Sequence, residues 1–474
     1  MKVKSTKIIA TIGPSSSTME MVEQLILAGV NVFRLNFSHG SHEIHAQNII
    51  NIRETAHKLS KPIAIMADLQ GPKIRVGKFK DNQAQLLNGD TIIFDTDFSQ
   101  LGTKDLVGVD YKNLAKDVKD ANILLLDDGK ITLKVVKVNG SEIHCRVEQG
   151  GILKNNKGIN KLGGGLTAPA LTYKDLDDIK FISTHNVDYV AVSFPKDVLD
   201  IQYARQKLLE SGSCARIIAK MERTEAVFDN MEELVKASDG VMVARGDLAV
   251  EVGEALVPGL QKKLIKTCTK YHKISIVATQ MLESMIESPV ATRAEVSDIA
   301  NAVLDGADAV MLSAETASGK YPLQAVETMS RVCEEAEKML DSKLEANFGV
   351  EKFADIQQTI SMAALFSAYH MEADAIVALT TSGATALWMS RIISGVPVYA
   401  VTDSIKAFQT MAMYRGVFPI LLKHKSMDIN SLVNEACNFL KYQHIINAGQ
   451  TVVVTFGDLL AQIGSTNSLR VIKI

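Results

Sequence analysis

The chain has 474 residues, 47% of them hydrophobic and 22% charged, with a formal net charge of −3. That is an ordinary globular composition, long enough for about three domains, and its balance does not favour a general nucleic-acid binder, so any anion site must be local. No apolar run approaches the roughly 18 residues of a membrane span, and no membrane partner is expected. The N-terminal stretch MKVKSTKIIATIGPSSS is a short apolar run broken by Gly13-Pro14, which reads as a strand and a turn rather than a signal peptide. Cys145, Cys214, Cys268, Cys333 and Cys437 are scattered without a CxxC pair. They read as free thiols of a reducing, cytoplasmic setting.

In chain order, short apolar runs alternate with amphipathic stretches. The runs are KIIATIG, VNVFRLNFS, PIAIMADLQ, VDYVAVSF, ARIIAKMER, GVMVARGDLA, ISIVATQM and ADAVMLSAET. They are rich in Val, Ile and Ala on both faces, as buried parallel strands are. TMEMVEQLILAG, DLDDIKFISTH, DVLDIQYARQKLLES and PGLQKKLIKTCTKYH carry apolar residues at helical spacing, and Ser17 or Thr18 suits the N-cap of the first. Eight strand-helix units predict an α/β fold, a (β/α)₈ barrel over residues 1–70 and 167–342. Between the third and fourth runs the texture changes. KDNQAQLLNGDTIIF and ITLKVVKVNGSEIHCRVEQGG alternate β-branched and polar residues, and Asn139-Gly140 is a hairpin signal. These predict a small β domain inserted over 71–166, leaving from a strand's C-terminal end and placed to act as a lid. From 343 to 474 the runs AIVALTTSG, VPVYAVTD, VFPILL, TVVVTFG and SLRVIKI predict a separate α/β domain, with a helix near 320–342 as the bridge.

An active site on such a barrel lies at the C-terminal ends of the strands. The residues there are Arg34, Asn36, Ser38 and His39 after the second run, and Asp68, Lys73 and Arg75 after the third. Lys220, Glu222 and Arg223 follow ARIIA; Arg245, Gly246 and Asp247 follow GVMVA; Thr279 and Gln280 follow ISIVA; Ser313 and Glu315 follow AVML. One such end is most simply a solvated terminus, but six of them converge on one face. Glu222 and Asp247, from adjacent strands, suit Mg²⁺, which keeps much of its water. Lys220 precedes Glu222 by two and leaves the strand on the same side. Arg34, Arg75 and Lys220 supply three cations, the complement that phosphoryl transfer requires. Gly246 would let a substrate carboxylate approach backbone N–H groups. In the third strand's exit, DLQGPKIR, a strand pattern would put Lys73 and Arg75 on one face.

The segments RLNFSHG, DLQGPKIR, AKMER, MVARGDLAVE, ATQMLESM and MLSAETASGKYP, in this order and spacing, closely resemble the pyruvate kinase family over nearly the whole chain. The resemblance implies a phosphotransferase that converts phosphoenolpyruvate and ADP to pyruvate and ATP, the last step of glycolysis. It implies a catalytic set of Lys220, Arg34, Thr279, Ser313 and Glu315. Arg34, Lys220, Gly246, Asp247 and Thr279 would hold the substrate, Asn36, His39, Arg75 and Lys157 the nucleotide, and Glu222 and Asp247 a Mg²⁺ or Mn²⁺ ion. Thr279, with Ser313 and Glu315 nearby, would serve protonation of the enolate through a water relay. In potassium-dependent members a glutamate stands where this chain has Lys73, and Asn36, Ser38, Asp68 and the carbonyl of Leu69 would ligate K⁺. DLQGPKIR resembles the branch without that requirement, and a tethered ammonium at Lys73 can supply the ion's charge. TTSGATALWMSR is a hydroxyl-rich turn entering a helix, a ready anion cradle formed by Thr381, Ser382, Gly383, Ala384 and Thr385. The resemblance implies a phosphorylated effector there, AMP or a sugar phosphate, and a homotetramer. Trp388 and TMAMYRG read as packed core. Two other readings are a metal-dependent lyase or aldolase acting on a pyruvate enolate and a non-catalytic effector-binding protein. The first would need neither Lys157 nor His39; intact Lys220, Glu222, Asp247 and Thr279 weigh against the second.

Overall fold

The computed structural model of the protein describes residues 4–340, 353, 355–423, 428–458 and 464–474. The expected boundary at 342–343 falls outside them. Eight parallel strands close into a barrel: Lys7–Thr11, Val32–Asn36, Ala64–Asp68, Tyr189–Val192, Arg216–Met221, Gly240–Ala244, Ile274–Ala278 and Ala309–Leu312. Each falls within one of the eight apolar runs. Alternate residues divide the core, because successive side chains of a strand point to opposite faces. Ile8 and Ala10, Phe33 and Leu35, and Ile65 and Ala67 cluster with the surrounding helices. Ile9, Val32, Met66, Tyr189, Ile218 and Met242 belong to a second cluster, inside the barrel.

The helices follow their apolar spacing. Met19–Ala28 is capped by Thr18, whose hydroxyl accepts from the Met21 N–H at 3.2 Å. Tyr173–Ser183 begins with a capping box of Thr172 and Asp175, which satisfies two N-terminal donors at once.

After the third strand comes a separate β unit, with a six-stranded and a two-stranded sheet around its own apolar cluster from Ile74 to Leu166. Its longest hairpin pairs Ile131–Asn139 with Glu142–Gln149. The connection is Gly140-Ser141, one residue later than Asn139-Gly140, and Gly140 has a φ of 62°, where glycine fits the strand twist. The helix Pro322–Glu337 follows the last barrel strand.

The C-terminal sheet runs Val417–Leu421, Val398–Thr402, Ala375–Leu379, Thr451–Gly457, Thr466–Lys473 in spatial order, the last strand antiparallel. One of its faces joins the barrel-interior cluster through Met411, Met413 and Tyr414. The Tyr189 hydroxyl donates to the Thr410 carbonyl at 2.7 Å, and the Lys7 ammonium to the Val417 carbonyl at 2.7 Å. The C-terminal domain therefore closes the end where the strands begin, leaving the opposite end to the strand-end residues and the inserted domain.

Candidate active site

The strand Arg216–Met221 delivers Lys220 and, at its end, Glu222. The Lys220 ammonium lies 2.8 Å from Glu222 Oε1 and 3.4 Å from Asp68 Oδ1, and donates to Ser193 Oγ at 2.8 Å. Burial works against its charge, but Asp68, Glu222 and Asp247 together outweigh burial and hold Lys220 above the usual lysine range. Asp68 accepts from Arg34 Nε at 2.7 Å, and Arg34 also donates to Thr11 Oγ at 3.0 Å. Burial would raise the Asp68 carboxyl, yet the charges of Lys220 and Arg34 bring it below the ordinary aspartate value. Lys220, Arg34 and Asp68 thus form one charge-paired knot.

Glu222 is fully buried, and its Oε2 accepts the Phe194 N–H at 2.9 Å. Burial pushes its carboxyl up to about 7, opposed by Lys220 and reinforced by Asp247. Glu222 Oε1 is taken by the Lys220 ammonium at 2.8 Å. A buried carboxylate is costly unless cations balance it. Asp247, in the first turn of the helix Arg245–Val252, is the second carboxylate beside it. Two neighbouring carboxylates, Glu222 and Asp247, fit a divalent metal that keeps several waters.

Thr279 and Gln280 have φ of 70° and 53°, a left-handed pair that costs strain in non-glycine residues. Arg245 pins them: its guanidinium donates to the Thr279 carbonyl at 2.7 Å and to Asp298 at 2.7 Å. Thr279 Oγ accepts the Gly246 N–H at 2.9 Å and donates to the Ala278 carbonyl at 2.6 Å. A Cβ on Gly246 would meet nothing closer than 3.6 Å, so the fold itself has no need of glycine there.

Some expected residues lie elsewhere. Glu315 is fully buried, and its two oxygens accept the N–H groups of Leu282, at 3.1 Å, and of Ser313, at 2.6 Å. This makes Glu315 a bracket for the strand-end backbone, instead of a relay beside Thr279. The exit 71–78 is not a regular strand, and its two cations part. The Lys73 ammonium stands 3.7 Å from Asp247 Oδ1, while Arg75 donates to the Asn156 carbonyl at 3.0 Å within the inserted domain. Lys157 is also held there, 2.7 Å from Asp127. Arg75 therefore does not join the Lys220 cluster in this conformation. His39 is exposed. Asn36 Oδ1 accepts the Ser38 N–H at 3.1 Å, and the Leu69 carbonyl accepts Ser193 Oγ at 2.7 Å. Lys73 thus neighbours Asp247, while Asn36 Oδ1, Asp68 and the Leu69 carbonyl, expected around K⁺, have partners of their own.

In the C-terminal domain, Thr380 Oγ accepts the Gly383 N–H at 3.0 Å, and Ser382 Oγ accepts the Ala384 N–H at 3.4 Å. Thr385 is buried, with its hydroxyl on Thr466 and Gln357 at 2.8 Å each, so its side chain is committed to packing. Thr381 lies within this turn, half-buried. Trp388 packs on His272 at a ring distance of 3.9 Å. The sequence reading missed Ser193, which ties Lys220 to the third strand's exit. Its position at the end of VDYVAVSF was the available signal.

Two family models match: "Pyruvate kinase, barrel domain" over residues 3–326 and "Pyruvate kinase, alpha/beta domain" over 358–472. The pyruvate kinase of Buchnera aphidicola subsp. Baizongia pistaciae is 48% identical over 477 residues, covering 100% of this chain and 99% of that protein. Pyruvate kinase II of Salmonella typhimurium is 46% identical over 479 residues, with 100% and 99% covered. The crystal structure of a pyruvate kinase from Cryptosporidium parvum superposes with a TM-score of 0.94 at 34% identity, over 99% of this chain and 96% of that one. These matches give the lyase or aldolase reading no support. With its closed barrel, its inserted sheets and the Lys220–Arg34–Asp68 knot at the open end, the chain belongs to the pyruvate kinase family.

Proposed function

We propose that the protein transfers the phosphoryl group of phosphoenolpyruvate to ADP, yielding pyruvate and ATP. The observation that carries this reading is the largely buried Lys220 ammonium, held charged among Asp68, Ser193 and Glu222 with the Asp247 carboxylate nearby. Lys220 neutralises the phosphoryl group in transit and the enolate oxygen it leaves. Arg34, fixed by Asp68 and Thr11, orients the phosphate. Glu222 and Asp247 would hold Mg²⁺ or Mn²⁺, which when bound adds positive charge where the phosphoryl oxygens gather. Gly246, Asp247 and Thr279 receive the substrate carboxylate in the space beside Gly246. Thr279 and Ser313 serve protonation of the enolate, and Glu315 acts on it through the backbone. Asn36 and His39 on the barrel, with Arg75 and Lys157 on the inserted domain, meet the nucleotide once that domain closes. Lys73 supplies a fixed positive charge in place of K⁺, which is then not required. A phosphorylated effector, AMP or a sugar phosphate, at residues 381–385, a homotetrameric assembly and a cytoplasmic location complete the reading; no described helix is long and apolar enough to cross a membrane.

The test is ATP formation from phosphoenolpyruvate and ADP with Mg²⁺ in a buffer free of sodium and potassium, followed by addition of K⁺. Full turnover before the addition is expected. Strong activation by K⁺ would keep the kinase and remove Lys73 from the monovalent role. No turnover in either buffer, with effectors supplied, would sink the whole reading.

A further inference from the structure

The inserted domain returns to the barrel through KLGGGL, residues 161–166. Gly163, Gly164 and Gly165 have φ of 82°, 72° and 86°, a left-handed run open only to glycine without repeated strain. Three such residues give a hinge wide freedom, yet each is held. Gly163 N–H donates to the Glu251 carbonyl at 3.0 Å. Gly165 N–H donates to the Glu225 carboxylate. Gly164 lies so close to that carboxylate that a Cβ would stand 2.8 Å from Oε1. The Leu166 carbonyl accepts from the buried guanidinium of Arg223, whose Nε is 3.4 Å from Glu225 Oε2.

The holding residues sit on the segments that bear the metal-site carboxylates. Arg223 and Glu225 lie one and three residues after Glu222, and Glu251 lies one helical turn after Asp247. A small cleft lies between hinge and barrel, lined among others by Lys73, Ile159, Leu166, Phe194, Arg223 and Glu251. Phe194 is the residue whose N–H holds Glu222. Glu225 Oε2 is buried without a hydrogen-bond partner, so the carboxylate has acceptor capacity left for another hinge donor as the angle changes.

We propose that Glu225 is a positioning residue for phosphoryl transfer: it latches the glycine hinge, so that the strand end bearing Lys220 and Glu222 sets the approach of the inserted domain. The proposal rests on the function proposed above, in which Arg75 and Lys157 meet the nucleotide from that domain. Glu225 touches no reacting group. Its loss therefore acts on the nucleotide side and leaves the phosphoenolpyruvate side in place.

The experiment compares the full-length protein with Glu225→Ala, Glu225→Gln and Gly164→Ala, measuring steady-state kinetics and amide hydrogen exchange at 163–166. Glu225→Ala should raise KM for ADP roughly tenfold, the scale of one lost charge-assisted hydrogen bond. KM for phosphoenolpyruvate should stay within about twofold, and the hinge amides should exchange faster. Glu225→Gln keeps an acceptor for the Gly165 N–H and should recover most of the loss. Gly164→Ala should reproduce the same split with Glu225 present, because its methyl displaces the carboxylate. Equal changes in both KM values, or hinge exchange unchanged in Glu225→Ala, would overturn the latch. Absence of turnover in the unsubstituted protein would refute the proposed function instead, and hydrogen exchange would still decide the latch.

Discussion

The two ends of the barrel both bury ionic groups, and they finish them differently. Where the strands begin, Asp308 takes a bidentate guanidinium from Arg391 and also accepts the Ser275 N–H at 2.8 Å and the Ser275 hydroxyl at 3.2 Å. Arg391 donates further to the Lys273 carbonyl and to Ser390 Oγ. That end is covered by the C-terminal domain. Where the strands finish, Lys220 is shared by Asp68 and Glu222, Asp247 stands 3.7 Å from Lys73, and Thr279 and Gln280 hold strained backbone. A closed network rigidifies an interface. An open one with stored strain is organised around something that binds. The first kind of ion pair joins domains, and the second is the one assigned above to the proposed reaction.

The largest effect comes from breaking the open end. Lys220→Met should lower kcat by roughly a thousandfold, since the charge opposite the developing anion is lost. The fold should survive: Asp68 keeps Arg34, and Glu222, raised by burial, can take a proton. Steady-state assays with a thermal melt check this; a kcat within tenfold of the parent would remove Lys220 from the chemistry. Breaking the closed end should invert the pattern. Arg391→Met leaves the Asp308 carboxylate buried and should cost about 3–5 kcal/mol, read by urea unfolding, with little change in kcat for the folded protein. A comparable loss of kcat would mean that the two ends are not separable.

The smallest effect is a pH dependence at the closed end. Burial first, then the charges of Arg391 and Lys273, bring His272 down to about 4 from an ordinary 6.5. A depressed histidine is neutral when folded and takes up its proton first when unfolded. Its contribution is complete above pH 6.5 and is lost as pH falls toward 4. The urea midpoint of the parent should therefore fall more steeply across that window than that of His272→Asn, a residue that tolerates the φ of 55° found there. Parallel slopes would remove His272 from the interface's acid sensitivity.

All eight barrel strands, the inserted β unit and the five C-terminal strands were legible in the sequence. Apolar runs, the change to alternating texture after PIAIMADLQ and helical spacing report local burial, and burial sets strands and helices. The residue types at the strand ends were legible for the same reason: the barrel's topology sends every strand end to one face. The sequence by itself therefore determined the architecture, the family and the identity of Lys220, Glu222, Asp247 and Arg34 as a group. Which charges pair was decided only in three dimensions. Lys73 went to Asp247 and Arg75 to Asn156 because the exit after Asp68 is not a regular strand. Glu315 turned inward to backbone N–H groups that only the folded turn presents. Ser193, Arg245 and Glu225 gained their roles from partners 27, 34 and 60 residues away. Hydrogen bonds and ion pairs are made over a few ångströms of space, and spacing along the chain does not encode those distances.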